Sequence, residues 1–266
     1  MHSAKSDTGL KRLHNEDRYV ADASLGLYVV CDGMGGGNAG EIASALAVET
    51  IRAHLVEASR HADLPLIGPC DATVSASANR LASAIRAAND AIHRESWSRP
   101  DCVGMGTTVI AALLHDEVLA VAHAGDSRLY LVRDGTIQAL TTDHSWVAEQ
   151  VLKGLITEEE AERSPQRNIL TKALGVGSTI DVELTEVPVK MGDLLLLCSD
   201  GLTRGVRSID ILHVLSGTED LPAKSDRLIA MANTASGDDN TTVIIVALRD
   251  ELQTGLWERL KKRFAA

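Results

Sequence analysis

Apolar residues along this chain fall into two patterns that predict different elements. Short dense runs bounded by Gly, Asp or Asn read as buried strands, and longer stretches with apolar positions every three or four residues read as helices. Residues 26–32 form the first dense run. "EIASALAVETIRAHLVE", residues 41–57, has helical spacing, and a second long Ala-rich helix is predicted over about 73–97. Between them, residues 60–72 hold two prolines and a glycine and read as a loop. From 107 to 140 the pattern becomes several short strands joined by tight turns, with Asp134-Gly135 as a hairpin signal. Residues 143–175 are more polar and helical, are broken at Pro165, and read as an insert between strands, a flap. Strands return at 180–189 and 192–198, helices at 208–216 and 221–235, and a last strand at 241–248. The tail "WERLKKRFAA" predicts a short basic surface helix at about 252–263.

This order is not the alternating βαβ of a parallel sheet. It predicts an α+β fold of antiparallel sheets with helices packed outside. No internal repeat, low-complexity linker or boundary interrupts it, so residues 1–266 are expected to form one domain.

Composition sharpens this picture. Of the 266 residues 45% are apolar but only 3% aromatic, so the core must be built from Ala, Val, Leu and Ile. Charged residues at 24% fit a soluble globular protein. There is no apolar run long enough to span a bilayer and no apolar signal core at the N-terminus, so a cytoplasmic protein with no membrane partner is expected. A net charge of −11 argues against nucleic acid or acidic lipid as partners. The four cysteines form no CxxC pair and are expected to be reduced, with Cys31 and Cys198 as small core residues.

The candidate chemistry lies where strands end. "YVVCDGMGGG" stops an apolar run at Asp32-Gly33, and "LLLLCSDGLT" stops another at Asp200-Gly201. Asp126 follows Gly125 between two strands, Asp238, Asp239 and Asn240 precede the last one, and Glu16 and Asp17 sit near the N-terminus. Each Asp-Gly alone is an ordinary turn. Together, carboxylates converging on one edge of a sandwich must take up protons or cations. An oxygen-only ligand set favours Mg²⁺, Mn²⁺ or Ca²⁺, and no His/Cys spacing points to zinc. The glycine run lacks the Lys of a P-loop, and Asn38 breaks the dinucleotide fingerprint. It is better read as presenting the bare Gly33 carbonyl to a metal. Arg12, four residues before Glu16, has the guanidinium suited to gripping phosphate.

Seven motifs then occur in one order: R-x-x-N-E-D (12–17), V-x-D-G-M-G-G (30–36), G-T-T (106–108), G-D-S-R (125–128), T-x-D-H-S (141–145), S-D-G-L (199–202) and D-N (239–240). This set resembles the metal-dependent Ser/Thr protein phosphatases of the protein phosphatase 2C type, in their compact bacterial form, over about residues 9–248. The resemblance implies a four-layer αββα sandwich of two antiparallel β-sheets flanked by helices on both faces. It implies two tightly bound Mn²⁺ or Mg²⁺ ions and a weaker third. In that scheme Asp32 bridges two ions. Glu16 and the Gly33 carbonyl complete one site, Asp200 and Asp239 the other, and Asp126 joins Asp200 at the third. Arg12 takes the role of phosphate-binding residue, Asp17 that of a group orienting water, and 143–175 that of the flap. The expected reaction is hydrolysis of phosphoserine and phosphothreonine by a water held between the ions, on phosphoproteins of a Ser/Thr kinase. Two positions qualify the resemblance: Met34, where eukaryotic relatives often have His and bacterial members commonly have Met, cannot donate a proton, and Ser164 stands where the flap of many bacterial relatives carries His. A hydrolase of small phosphoesters and a non-catalytic sensor are the rival readings. The ordered motifs speak against the first and the filled ligand positions against the second.

Overall fold

The computed structural model describes residues 1–35 and 39–248. It is built from two antiparallel sheets. In the first, β2 (Asp17–Asp22), β3 (Leu27–Met34), β5 (Val109–His115), β6 (Val118–Ala124) and β9 (Glu183–Pro188) lie in that order, with the short β4 (Gly106–Thr107) paired to the end of β3. In the second the order is β1 (His2–Asp7), β11 (Thr241–Ala247), β10 (Leu194–Cys198), β7 (Arg128–Arg133) and β8 (Thr136–Ala139).

The dense apolar runs are explained by burial on both faces. Along β3, Leu27, Val29 and Cys31 pack toward helices, whereas Tyr28 and Val30 pack against the second sheet. Along β10 and β11 the same alternation puts Leu196, Cys198, Val243 and Ile245 under the other helices and Leu195, Leu197, Ile244 and Val246 between the sheets. Strands covered on both sides need no polar face, so they read as continuous hydrophobic stretches. Helices α1 (Ala39–Arg60) and α2 (Ala76–Ser98) cover the first sheet, their buried alanines allowing close approach. Helices α5 (Asp200–Thr203), α6 (Ser208–Ser216) and α7 (Leu221–Ala235) cover the second. The expected α+β, four-layer arrangement is therefore the observed one. No helix among the described residues is long and apolar enough to cross a membrane.

The predicted turn between β7 and β8 has Asp134 at φ 51° and Gly135 at φ 76°, the two positive φ values of a tight hairpin. Segment 143–175 contains α3 (Trp146–Leu152) and α4 (Glu158–Arg163). A Thr157–Glu160 capping box starts α4, which stops at Ser164, where the next residue, Pro165, disfavours further helix. Bridges Thr107↔Leu174 and Ser145↔Leu170 tie this segment to the sheet and to itself.

Two strands escape the hydrophobic pattern. β1 reads HSAKSD and β2 reads DRYVAD, and both are edge strands with one neighbour. The proposed tail helix at about 252–263 lies outside the described residues, as do Gly36 and Gly37 of the glycine run.

Candidate metal centre

Asp32 is in phase with Tyr28 and Val30, so it continues the row facing the space between the sheets, just beyond the last apolar residue. Asp17 is its cross-strand partner on β2. The Asp32 backbone is held at three points: its N–H donates to Thr108 Oγ1 (3.0 Å), and its carbonyl accepts from Thr108 N (2.9 Å) and Thr107 Oγ1 (2.8 Å). The hydroxyls of Thr108 and Ser127 are 2.7 Å apart, which links the Asp32 strand end to the turn carrying Asp126. That is what the G-T-T motif does.

Asp17 belongs to the first sheet but is bound by the second. Its Oδ2 accepts from Ser199 Oγ and Thr242 Oγ1, both at 2.7 Å. Ser199 immediately precedes Asp200, so one carboxylate fixes the seam where the strand ends meet.

The motif glycines allow these ends to touch. A Cβ on Gly33 would lie 2.1 Å from the Gly40 carbonyl oxygen, and one on Gly40 would lie 2.8 Å from the Glu16 carboxyl carbon. A Cβ on Gly201 would lie 2.0 Å from the Asn240 carbonyl oxygen. Gly33 is thus required by the close passage of the α1 N-terminus, a reason additional to an open carbonyl. Asn240 spends its amide on the same junction: Oδ1 accepts from Glu16 N (2.8 Å), and Nδ2 donates to the carbonyls of Thr8 (2.9 Å) and His14 (3.0 Å). Arg12, half-exposed on this loop, donates to the Asp238 carbonyl (3.3 Å) and to Asp239 Oδ2 (3.0 Å).

The electrostatics are those of crowded carboxylates. Burial, followed by the charges of Asp17, Asp200, Asp126 and Asp239, raises the Asp32 pKa well above the usual carboxylate range. Burial pushes Asp17 up to about 7 against the pull of its two hydroxyl donors, and burial with Asp200 and Asp143 pushes Asp126 up to about 7. Asp200 and Glu16 are raised as well, mainly by burial, with the guanidiniums of Arg204 and Arg12 respectively opposing. The structure therefore brings Glu16, Asp17, Asp32, Gly33, Asp126, Asp200 and Asp239 together with Arg12.

A divalent cation fits this set. Asp17 Oδ1 and Asp200 Oδ1 are buried without a hydrogen-bond partner, and such atoms are costly unless a cation or water meets them. Every donor in the set is oxygen, the chemistry of Mg²⁺ and Mn²⁺.

A second cluster lies next to it. His144 Nδ1 accepts from Gly125 N–H (3.2 Å), so Nε2 carries the ring proton and donates to Glu183 (3.0 Å). His123 donates Nε2–H to the Thr142 carbonyl (2.9 Å) and stacks on His144, ring centroids 4.6 Å apart. Holding a cation at His144 Nε2 would cost its proton or the Gly125 bond, and stacked rings direct their in-plane lone pairs side by side. The cluster instead braces the turn that carries Asp126. Arg128, bidentate to Asp143 at 2.8 and 2.7 Å, does the same from the other side. The G-D-S-R and T-x-D-H-S motifs are thus two halves of one brace.

The family model for protein phosphatase 2C matches residues 11–250. The chain belongs to the protein phosphatase 2C family. Among protein phosphatase 2C relatives, the serine/threonine phosphatase stp of Listeria monocytogenes is 37% identical over 94% of this chain and 96% of its own length. PstP of Mycobacterium tuberculosis is 39% identical over 94% of this chain, which spans 45% of PstP's length. The crystal structure of the PstP catalytic domain in complex with 2 manganese ions aligns with a TM-score of 0.78 at 36% identity, over 94% of this chain and 98% of that one. Stp1 from Staphylococcus aureus aligns with a TM-score of 0.81 at 34% identity, over 94% and 95% of the two chains.

Sequence reasoning missed Arg204. It follows the S-D-G-L motif by two residues and pairs with both Asp200 and Asp239. The available signal was its position one helical turn after Asp200.

Proposed function

We propose that this chain is a metal-dependent protein-serine/threonine phosphatase working in the cytoplasm on phosphoproteins made by a Ser/Thr kinase. The observation that carries the reading is the convergence of five aspartates on one end of the sandwich with two buried carboxylate oxygens left without a partner. Glu16, Asp32 and the Gly33 carbonyl would hold one ion, Asp32, Asp200 and Asp239 a second, and Asp126 with Asp200 a weaker third. When bound, such ions acidify water and offset the charge that develops on a transferring phosphoryl group. The protein supplies the rest. Arg12, whose guanidinium sits at the exposed edge of the carboxylates, grips the phosphate oxygens and aligns phosphorus with the site. Asp17, tied through Oδ2 to Ser199 and Thr242, keeps Oδ1 free to hold a proton from the attacking water. The Met34 thioether has no proton to give, so protonation of the leaving alkoxide falls to solvent or to the substrate's surroundings.

The family's reaction needs no thiol, and burial pushes Cys31 and Cys198 up, Cys198 to about 12, away from nucleophilic character. A panel of phosphoserine and phosphothreonine peptides against nucleotides and phosphodiesters tests the reading. Peptide hydrolysis is expected in Mn²⁺, with loss in EDTA and in Asp32→Ala. Full activity of Asp32→Ala in Mn²⁺, or turnover confined to nucleotides, would sink it.

A further inference from the structure

Arg204 caps the short helix α5, its backbone N–H donating to the Asp200 carbonyl at 2.9 Å. Its side chain turns back over the same aspartate. Nη2 pairs with Asp200 Oδ2, and Nη1 donates to Asp239 Oδ2 at 2.7 Å. All three side chains are largely shielded, with relative exposures of 30% for Arg204, 11% for Asp200 and 14% for Asp239. Among the described residues, neither Glu16 nor Asp32 is ion-paired to a basic side chain.

One guanidinium therefore bridges the two carboxylates assigned above to the second ion, and leaves the other half of the centre alone. A planar fork with two donors can satisfy two carboxylates at once, which a lysine point charge does less well. The oxygens it engages cannot give the same lone pairs to a cation. Electrostatics add to the exclusion, since a guanidinium held on these carboxylates would repel a divalent ion brought to them.

We propose that Arg204 is an internal counter-ion that competes with the second metal ion. It holds Asp200 and Asp239 in the metal-free protein and has to be displaced on loading. The two halves of the centre are thereby set to different affinities, and the second ion binds only when its concentration outweighs the tethered cation. The inference rests on the metal-centre reading above.

Calorimetric titration of chelator-stripped protein with Mn²⁺, with thermal melts of the metal-free form, separates the two ideas. In Arg204→Gln the weaker of the Mn²⁺ steps is expected to tighten by about ten-fold or more, the scale of a lost charge-assisted contact. The metal-free melting temperature is expected to fall, because Asp200 loses its guanidinium partner and Asp239 keeps only the half-exposed Arg12, and Mn²⁺ should restore it. Arg204→Lys keeps a positive charge for folding and is expected to fall between wild type and Gln. Unchanged or weaker Mn²⁺ binding in both variants, with wild type still binding two ions, would overturn the role of Arg204 and leave the metal centre standing. Failure of wild type to bind Mn²⁺ at all would overturn the metal-centre reading and this inference with it.

Discussion

Asp17 accepts two hydroxyl hydrogen bonds on one oxygen and leaves the other bare, although it is 1% exposed. A buried side chain selected for stability alone would not carry that cost. Replacing it with Asn removes the charge but can keep an acceptor for Ser199 and Thr242. Asp17→Asn should melt higher than wild type in chelator near neutral pH, and should lose activity or Mn²⁺ affinity by about 10–100-fold, the usual scale for a group that tunes a metal site through its neighbours. Melts in EDTA beside phosphopeptide kinetics in Mn²⁺ check this. Unchanged kinetics would make Asp17 a fastener of the seam and nothing more.

Among the elements, strand ends and helix starts are bonded through glycines rather than through side chains. Gly201→Ala would force a Cβ to within 2.0 Å of the Asn240 carbonyl oxygen and 2.7 Å of Thr241 Oγ1. The start of β11, which carries Asp239, has to move. Overpacking of this kind costs about 1–3 kcal/mol, and the displaced Asp239 should weaken Mn²⁺ binding as well. Thermal melts and Mn²⁺ titration of the same preparation read both, and a loss of stability with intact metal affinity would show that the junction does not position Asp239. This scale also shows what the sequence makes legible. β3, β5, β6, β10 and β11 are covered on both faces and announce themselves as apolar runs. β1 and β2 are edge strands whose mixed patterns carry no such signal. Asp32 and Asp200 could be found because each ends an apolar run, and Asp239 because it sits in the polar turn just ahead of one. The bonds of Asn240 to Glu16, Thr8 and His14 could not, because their partners are more than 220 positions away along the chain.

Across the whole molecule, the acidic centre sets how stability depends on pH. Asp17 and Asp126 have folded-state pKa values of about 7, and Asp32, Asp200 and Glu16 are also raised. Between the ordinary carboxylate range and about pH 7 the metal-free folded state binds more protons than the unfolded chain. The stability these groups contribute is therefore present at the acid side of that window and lost as pH rises through it. His2, His54 and His123, lowered chiefly by burial, act in the opposite direction. Their effect cancels when melts with and without metal are subtracted. The gain in melting temperature from Mn²⁺ over EDTA should grow from about pH 5.5 to about pH 7.5, as protons cease to compete for the carboxylates. A gain that is flat or shrinks over that range would contradict the carboxylate assignment.

The position of β11 has a consequence for biosynthesis. It is the last strand of the described chain, yet it lies between β1 and β10 and brings Asp239, Asn240 and Thr242 with it. Until β11 has been made, β1 has nothing to pair with, Asp17 lacks its Thr242 donor and the Arg12 loop has no anchor on Asp238 or Asp239. Prematurely terminated chains therefore carry most of the motifs but no assembled centre. Such fragments cannot erase phosphorylation marks before the intact protein exists.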